Sequence, residues 1–148
     1  MGRRSMRLNR VDEAIRLHVC DARQAHSLLG YGCCTLVVCN PPYADEAASL
    51  PGTQAAEQLA RQTLDLTPSA VAQAASRLLK YGGRFCTVYP ARRMFEMMCA
   101  MQENGLEPKR VQLVQATPLH IPKIVLIEAK KGAKPGLHFL PVRLLNAD

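Results

Sequence analysis

Residues 35–39, TLVVC, form an unbroken apolar, β-branched run, and Asn40-Pro41-Pro42-Tyr43 cuts it off at once. The run reads as a strand buried on both faces of a parallel sheet. The two prolines fix φ and remove two backbone donors, so the strand must stop there. The break places an amide, two rigid carbonyls and an aromatic ring at a strand end, where α/β sheets bind their ligands.

The rest of the chain supplies the elements for such a sheet. IRLHVCDA, from Ile15, alternates like a half-buried strand ending at Asp21. From Thr53 to Lys80 an alanine- and leucine-rich stretch reads as two helices, the second opened by Thr67 as N-cap with Pro68 at the first helical position. That helix is expected to end at LLKYGG, with Gly82 or Gly83 left-handed. RFCTVYP, from Arg84, is a third strand, and Arg92 to Gln102 a helix whose Met94, Met97, Met98 and Met101 make an adaptable core face. RVQLVQA and KIVLIEA, separated by TPLHIP, read as an antiparallel hairpin, and residues 130–148 as an irregular basic tail that ends apolar. The order predicts one α/β domain over residues 1–148 with a mainly parallel sheet, the tail packed on or beside it.

At 148 residues and 48% apolar content the chain suits one domain with a sizeable core. No apolar run is long enough for a membrane span, and no hydrophobic segment follows the basic N-terminus, so a soluble, cytoplasmic protein is expected. The six cysteines (Cys20, Cys33, Cys34, Cys39, Cys86 and Cys99) lack CxxC spacing and read as reduced core thiols, with no metal site. The net charge of +7 gathers at Arg92-Arg93, Lys109-Arg110 and Lys130-Lys131 with Lys134, besides the N-terminus. Such patches suit a polyanion.

Chemically, Asn40 and the Pro41 carbonyl offer neutral acceptors, and Tyr43 a flat face. Together they suit a planar NH2 such as that of adenine, cytosine or a glutamine carboxamide. Its conjugated lone pair is a poor nucleophile. Two acceptors can draw the N–H bonds out of plane and stabilise positive charge developing on nitrogen.

NPPY after an apolar strand resembles the catalytic motif of S-adenosylmethionine-dependent methyltransferases that modify exocyclic or amide nitrogens. RRSMRLNRVDEAIRLHVCDAR resembles the segment from the second helix through the third strand of that Rossmann-like fold, and ASRLLKYGGRF the helix and turn before its fifth strand. NGLEPKRVQLV and KGAKPGL resemble the last helix-strand junction and tail of the bacterial tRNA (adenine-N6)-methyltransferases that act beside the anticodon of a valine tRNA.

The resemblance implies that Asn40, Pro41, Pro42 and Tyr43 hold and activate the target amine. It implies that Asp21 and Ala22, with Asn40, contact S-adenosyl-L-methionine, and that the substrate is tRNA. Arg92, Arg93, Lys109, Arg110, Lys130, Lys131 and Lys134 are then phosphate contacts. The fold's first two strands and glycine-rich loop have no counterpart here: Gly30-Tyr31-Gly32 precedes a strand and reads as a turn. An N-terminally truncated domain is expected to bind the cofactor weakly or not at all. Its strands at Ile15 and Thr35, whose intervening neighbours are lacking, are expected to pair directly or to dimerise through their edges. Two other functions stay open: a release-factor glutamine methyltransferase, and a non-catalytic RNA-binding remnant.

Overall fold

The computed structural model describes residues 2–11, 13–41 and 66–146. Pro42, Tyr43 and the first of the two helices expected after Thr53 lie outside the described residues. A short helix α1 (Gly2–Leu8) and a second, α2 (Ala25–Leu29), preceded by a 3-10 turn at Ala22–Gln24, lead to strand β1 (Cys34–Cys39). Helix α3 (Pro68–Leu78), strand β2 (Leu79–Pro90), helix α4 (Met94–Glu103), strands β3 (Leu106–Gln115) and β4 (Ile124–Lys131), and two short strands β5 (His138–Phe139) and β6 (Arg143–Leu144) follow.

The sheet order is β1-β2-β4-β3-β5, with β6 also on β3. β1 pairs parallel with β2, and β5 and β6 pair parallel with β3. β3 and β4 form the expected antiparallel hairpin, and β4 folds back between β3 and β2, antiparallel to both. The tail is thus less irregular than its glycines and prolines imply, because it lends two strands to the edge of β3.

One face of this sheet is the core. Phe85 and Tyr89 of β2, Val125, Ile127 and Ala129 of β4, and Leu106 and Val111 of β3 are buried there. They pack with Val71, Ala72 and Ala75 of α3 and with Met97, Ala100 and Met101 of α4. The methionine stripe is therefore a packing face, as its helical spacing implies. α3 begins as expected, with Thr67 Oγ1 accepting the Ala70 amide at 3.2 Å and Pro68 in the first turn.

The helix does not end on a glycine. It stops at Leu78, and Leu79 is already extended at φ −77° and fully buried. The capping that a left-handed glycine would provide comes instead from Lys131, whose Nζ donates to the Ser76 and Leu79 carbonyls at 2.5 and 2.8 Å. Gly82 and Gly83 lie inside β2, where the register jumps from Cys34 opposite Leu79 to Leu36 opposite Arg84. Gly82 takes φ +76°, and a Cβ on Gly83 would come within 2.9 Å of the Lys80 carbonyl and 3.2 Å of that of Thr35. Glycine is needed there for a bulge rather than a cap.

Two further expectations fail. Residues 15–20 form no strand, and Val19 is 98% exposed. Alternation alone cannot hold a strand that has no hydrogen-bonding neighbour, and the direct pairing with β1 does not occur. β1 is not buried on both faces either. Val37 and Cys39 pack toward the core, but Val38 is 70% exposed. The second face carries apolar side chains beside a charged row in which Glu128 meets Arg110 and Arg84. The cysteines share this half-burial: Cys20 and Cys33 are exposed and the other four partly buried, so they are free thiols outside the central core.

This asymmetry predicts the outcome of two truncations. Phe85→Ala should cost about 3–5 kcal/mol in urea unfolding, because it empties a fully buried site. Val38→Ala on the open face should cost less than about 1 kcal/mol. Equal losses would contradict the one-sided core.

Candidate functional site

Asn40 is the first residue beyond β1 and is exposed, whereas Pro41 is buried. The inward face of β1, Val37 and Cys39, closes one wall of a small cavity of about 160 Å³. Ala22, Val71, Ala75 and Phe85 also line it. The 3-10 turn carrying Ala22 packs on α3, and that packing brings the Asp21 segment and the end of β1 to one cavity. Asp21 and Asn40 flank the cavity through their chain neighbours Ala22 and Cys39.

Asp21 is committed locally. Its side chain caps the 3-10 turn by accepting the Arg23 amide at 2.9 Å, and it holds the Arg23 guanidinium through both oxygens at 2.7–3.1 Å. These bonds lower the Asp21 pKa below the usual carboxylate value. Apart from Arg23 the described lining is apolar, and the volume is on the scale of a single flat ring such as adenine. The residues present therefore fit the adenine end of S-adenosyl-L-methionine. Among the described residues no carboxylate lines the cavity that could hold a ribose.

The seven cations expected to meet phosphate do not form one patch. Strand register puts Pro90 opposite Ile124 at the Asn40 end of the sheet and Arg84 opposite Lys130 toward the other. Six residues of strand separate those pairs, about 20 Å at 3.3 Å per residue. Arg92 and Arg93 follow β2 at the Asn40 end, whereas Lys130, Lys131 and Lys134 lie at the far end.

Several of these cations also have internal partners. Arg93 holds Glu96 at 2.7 and 2.8 Å and stacks over Tyr89. Arg110 holds Glu128 at 2.9 and 2.6 Å, and Lys109 donates to the Lys134 carbonyl at 3.1 Å. Lys131 caps α3. Charge clusters in a sequence cannot reveal this, because each partner except those of Arg93 is remote along the chain. Lys130 keeps an exposed side chain.

Sequence reasoning also passed over the loop between β3 and β4. It lies at the Asn40 end, with Leu119 and Ile121 exposed and Arg92 beside it. The signal was present in TPLHIP, where two large apolar residues sit in a segment otherwise marked as a turn.

No family model matches the chain. Over 105 residues it is 31% identical to the tRNA1(Val) (adenine(37)-N6)-methyltransferase of Dickeya chrysanthemi, covering 70% of this chain and 40% of the relative. The protein of the same name from Tolumonas auensis is 32% identical over 105 residues, covering 71% of this chain and 38% of the relative. The chain thus spans about two-fifths of the length of the curated relatives it matches. Among solved structures, a predicted O-methyltransferase from Agrobacterium tumefaciens superposes with a TM-score of 0.70 at 21% identity, covering 97% of this chain and 62% of that one. A putative DNA modification methylase from Thermus thermophilus, complexed with S-adenosyl-L-methionine, gives 0.55 at 22% identity, covering 82% and 55%. The fold is that of the Rossmann-like methyltransferases.

The committed cations separate stability from binding. Lys131→Ala should cost about 1–2 kcal/mol in urea unfolding, because it uncaps α3, whereas Lys130→Ala should stay within about 0.5 kcal/mol. Similar values for the two would contradict the capping role. Glu128 predicts a pH effect. The Arg110 hydrogen bonds hold its carboxyl below the ordinary value of 4.5. Its contribution to stability is therefore complete above about pH 4.5 and is lost as pH falls through the lower folded value. Urea midpoints of the wild type should fall more steeply below pH 4.5 than those of Glu128→Gln.

Proposed function

We propose that this chain supplies the amine-binding side of a methyltransferase that acts on the exocyclic N6 of adenine in tRNA. The observation that carries this reading is the 31–32% identity to two tRNA1(Val) (adenine(37)-N6)-methyltransferases, joined to an Asn-Pro pair at the end of a parallel strand. Residues 1–148 act as one partial domain in the cytoplasm, with residues 130–148 as its basic tail, and self-associate through the outer edge of β1. That edge has no strand partner among the described residues.

S-adenosyl-L-methionine, when bound, supplies an electrophilic methyl group. The chain's own residues prepare the nucleophile. The Asn40 side-chain oxygen and the Pro41 carbonyl accept the two N–H bonds of the adenine amine and pull them from the ring plane. The nitrogen lone pair is thereby localised. Pro41 is buried, so its carbonyl is held in place before substrate arrives. With the methyl's bond to the sulfonium sulfur broken and its electron pair left on sulfur, the nitrogen would form the new N–C bond and its proton would leave for water. Neutral acceptors suffice because the positive charge on nitrogen is transient. Pro42 and Tyr43 complete the grip, with Tyr43 stacking on the base.

The small cavity beside Ala22 takes the adenine end of the cofactor alone, so weak binding is expected. Calorimetry should give no saturable binding at micromolar cofactor, and a micromolar dissociation constant would overturn that expectation.

The test of function uses millimolar labelled cofactor with an unmodified valine tRNA transcript or a release factor. Label at adenine N6, with a loss of about 10²-fold for Asn40→Ala and little change in KM, is the expected result. Label in the release factor favours the glutamine reading instead. RNA binding without any methyl transfer supports the non-catalytic remnant.

A further inference from the structure

We infer that the loop of residues 117–123, together with Arg92, is the groove that takes the nucleotides flanking the target adenine. In it, Leu119 and Ile121 act as an apolar wedge between unstacked bases. This rests on the reading that the substrate is RNA.

Three observations place the groove. The loop leaves β3 at Gln115 and enters β4 at Ile124, opposite Pro90, which puts it at the Asn40 end of the sheet. Leu119 and Ile121 are 96% and 85% exposed, so they contribute almost nothing to the core. The loop is also tied in place. Thr117 Oγ1 and His120 Nδ1 are 2.6 Å apart, the His120 amide donates to the Thr117 carbonyl at 3.1 Å, and the Ala91 amide donates to that of Lys123 at 2.9 Å.

Arg92, Leu119, His120, Ile121, Pro122 and Lys123 border an open groove of about 710 Å³, room for more than one nucleotide unit. Among the described residues the lining holds two permanent cations and no carboxylate. That combination of apolar groups and cations matches an unpaired RNA strand, whose bases present apolar faces and whose phosphates are anionic. An acidic protein surface would match the sign of the cations but would leave both apolar side chains in water.

A wedge also answers a need of the chemistry. An adenine in a loop must leave its stack before its amine can reach Asn40. Apolar side chains inserted between base steps hold such a gap open. Arg92 and Lys123 then hold the backbone on either side.

A short anticodon hairpin with 2-aminopurine next to the target adenine tests this. Wild-type binding, followed by anisotropy, should be accompanied by a rise in 2-aminopurine fluorescence. In the Leu119→Ala/Ile121→Ala double variant that rise should fall at least threefold, with the thermal midpoint unchanged because both side chains are solvent-exposed. In Arg92→Ala/Lys123→Ala the affinity should fall about tenfold and the slope of log affinity against log salt should drop by about two. A wild-type chain that binds and unstacks the hairpin no better than the leucine-isoleucine variant overturns the wedge alone. Failure of the wild type to bind RNA overturns the RNA reading and the groove with it. Competition by a glutamine-bearing loop peptide from a release factor assigns the groove to protein and likewise overturns it.

Discussion

The structure depends on the burial of one face of β2. Phe85 and Tyr89 project from it into a core closed by α3 and α4, and its backbone pairs with β1 on one side and β4 on the other. Both the end of β1 and the loop of residues 117–123 are positioned by the pairing of that strand. β1 ends where it does relative to β2 because Val37 and Cys39 must share the Phe85 face, and Asn40 follows one residue later. α3, which leads into β2, lines the same cavity as Ala22 and Cys39. The loop carrying Leu119 and Ile121 is set beside the same strand end by the pairing of Pro90 with Ile124.

Much of this was legible in the residues. The run TLVVC and its proline stop gave β1 and the position of Asn40, since a proline pair cannot continue a strand. Thr67-Pro68 gave the start of α3, and the methionine spacing gave the buried face of α4, because capping and helical periodicity are local effects. The antiparallel hairpin followed from two apolar runs joined by a short turn.

What was not legible depended on partners remote in sequence. The Ile15 segment has a strand's alternation, but a strand forms only against a neighbour, and none pairs with it among the described residues. YGG reads as a helix stop until Lys131, more than fifty residues downstream of Ser76, is seen to hold the last carbonyls of α3. The same lysine was read as a phosphate contact. Arg110 likewise is engaged by Glu128 across the hairpin. A basic cluster in a sequence counts charges, and only the fold tells which of them are already paired.

The sheet has two functionally distinct ends. At one lie Asn40, Pro41 and the loop of residues 117–123, the proposed nucleotide-facing groups; at the other, Lys131 holds the last carbonyls of α3. Its central claim is that Asn40 grips the adenine amine itself, and the amine can be observed directly. In an anticodon hairpin labelled with 15N at N6 of the target adenine, saturation with wild-type chain should shift the amine nitrogen resonance strongly. Asn40→Ala should bind the hairpin with similar affinity and abolish the shift. An N6 resonance that stays unperturbed in the saturated wild-type complex, or shifts equally with the variant, would contradict the claim.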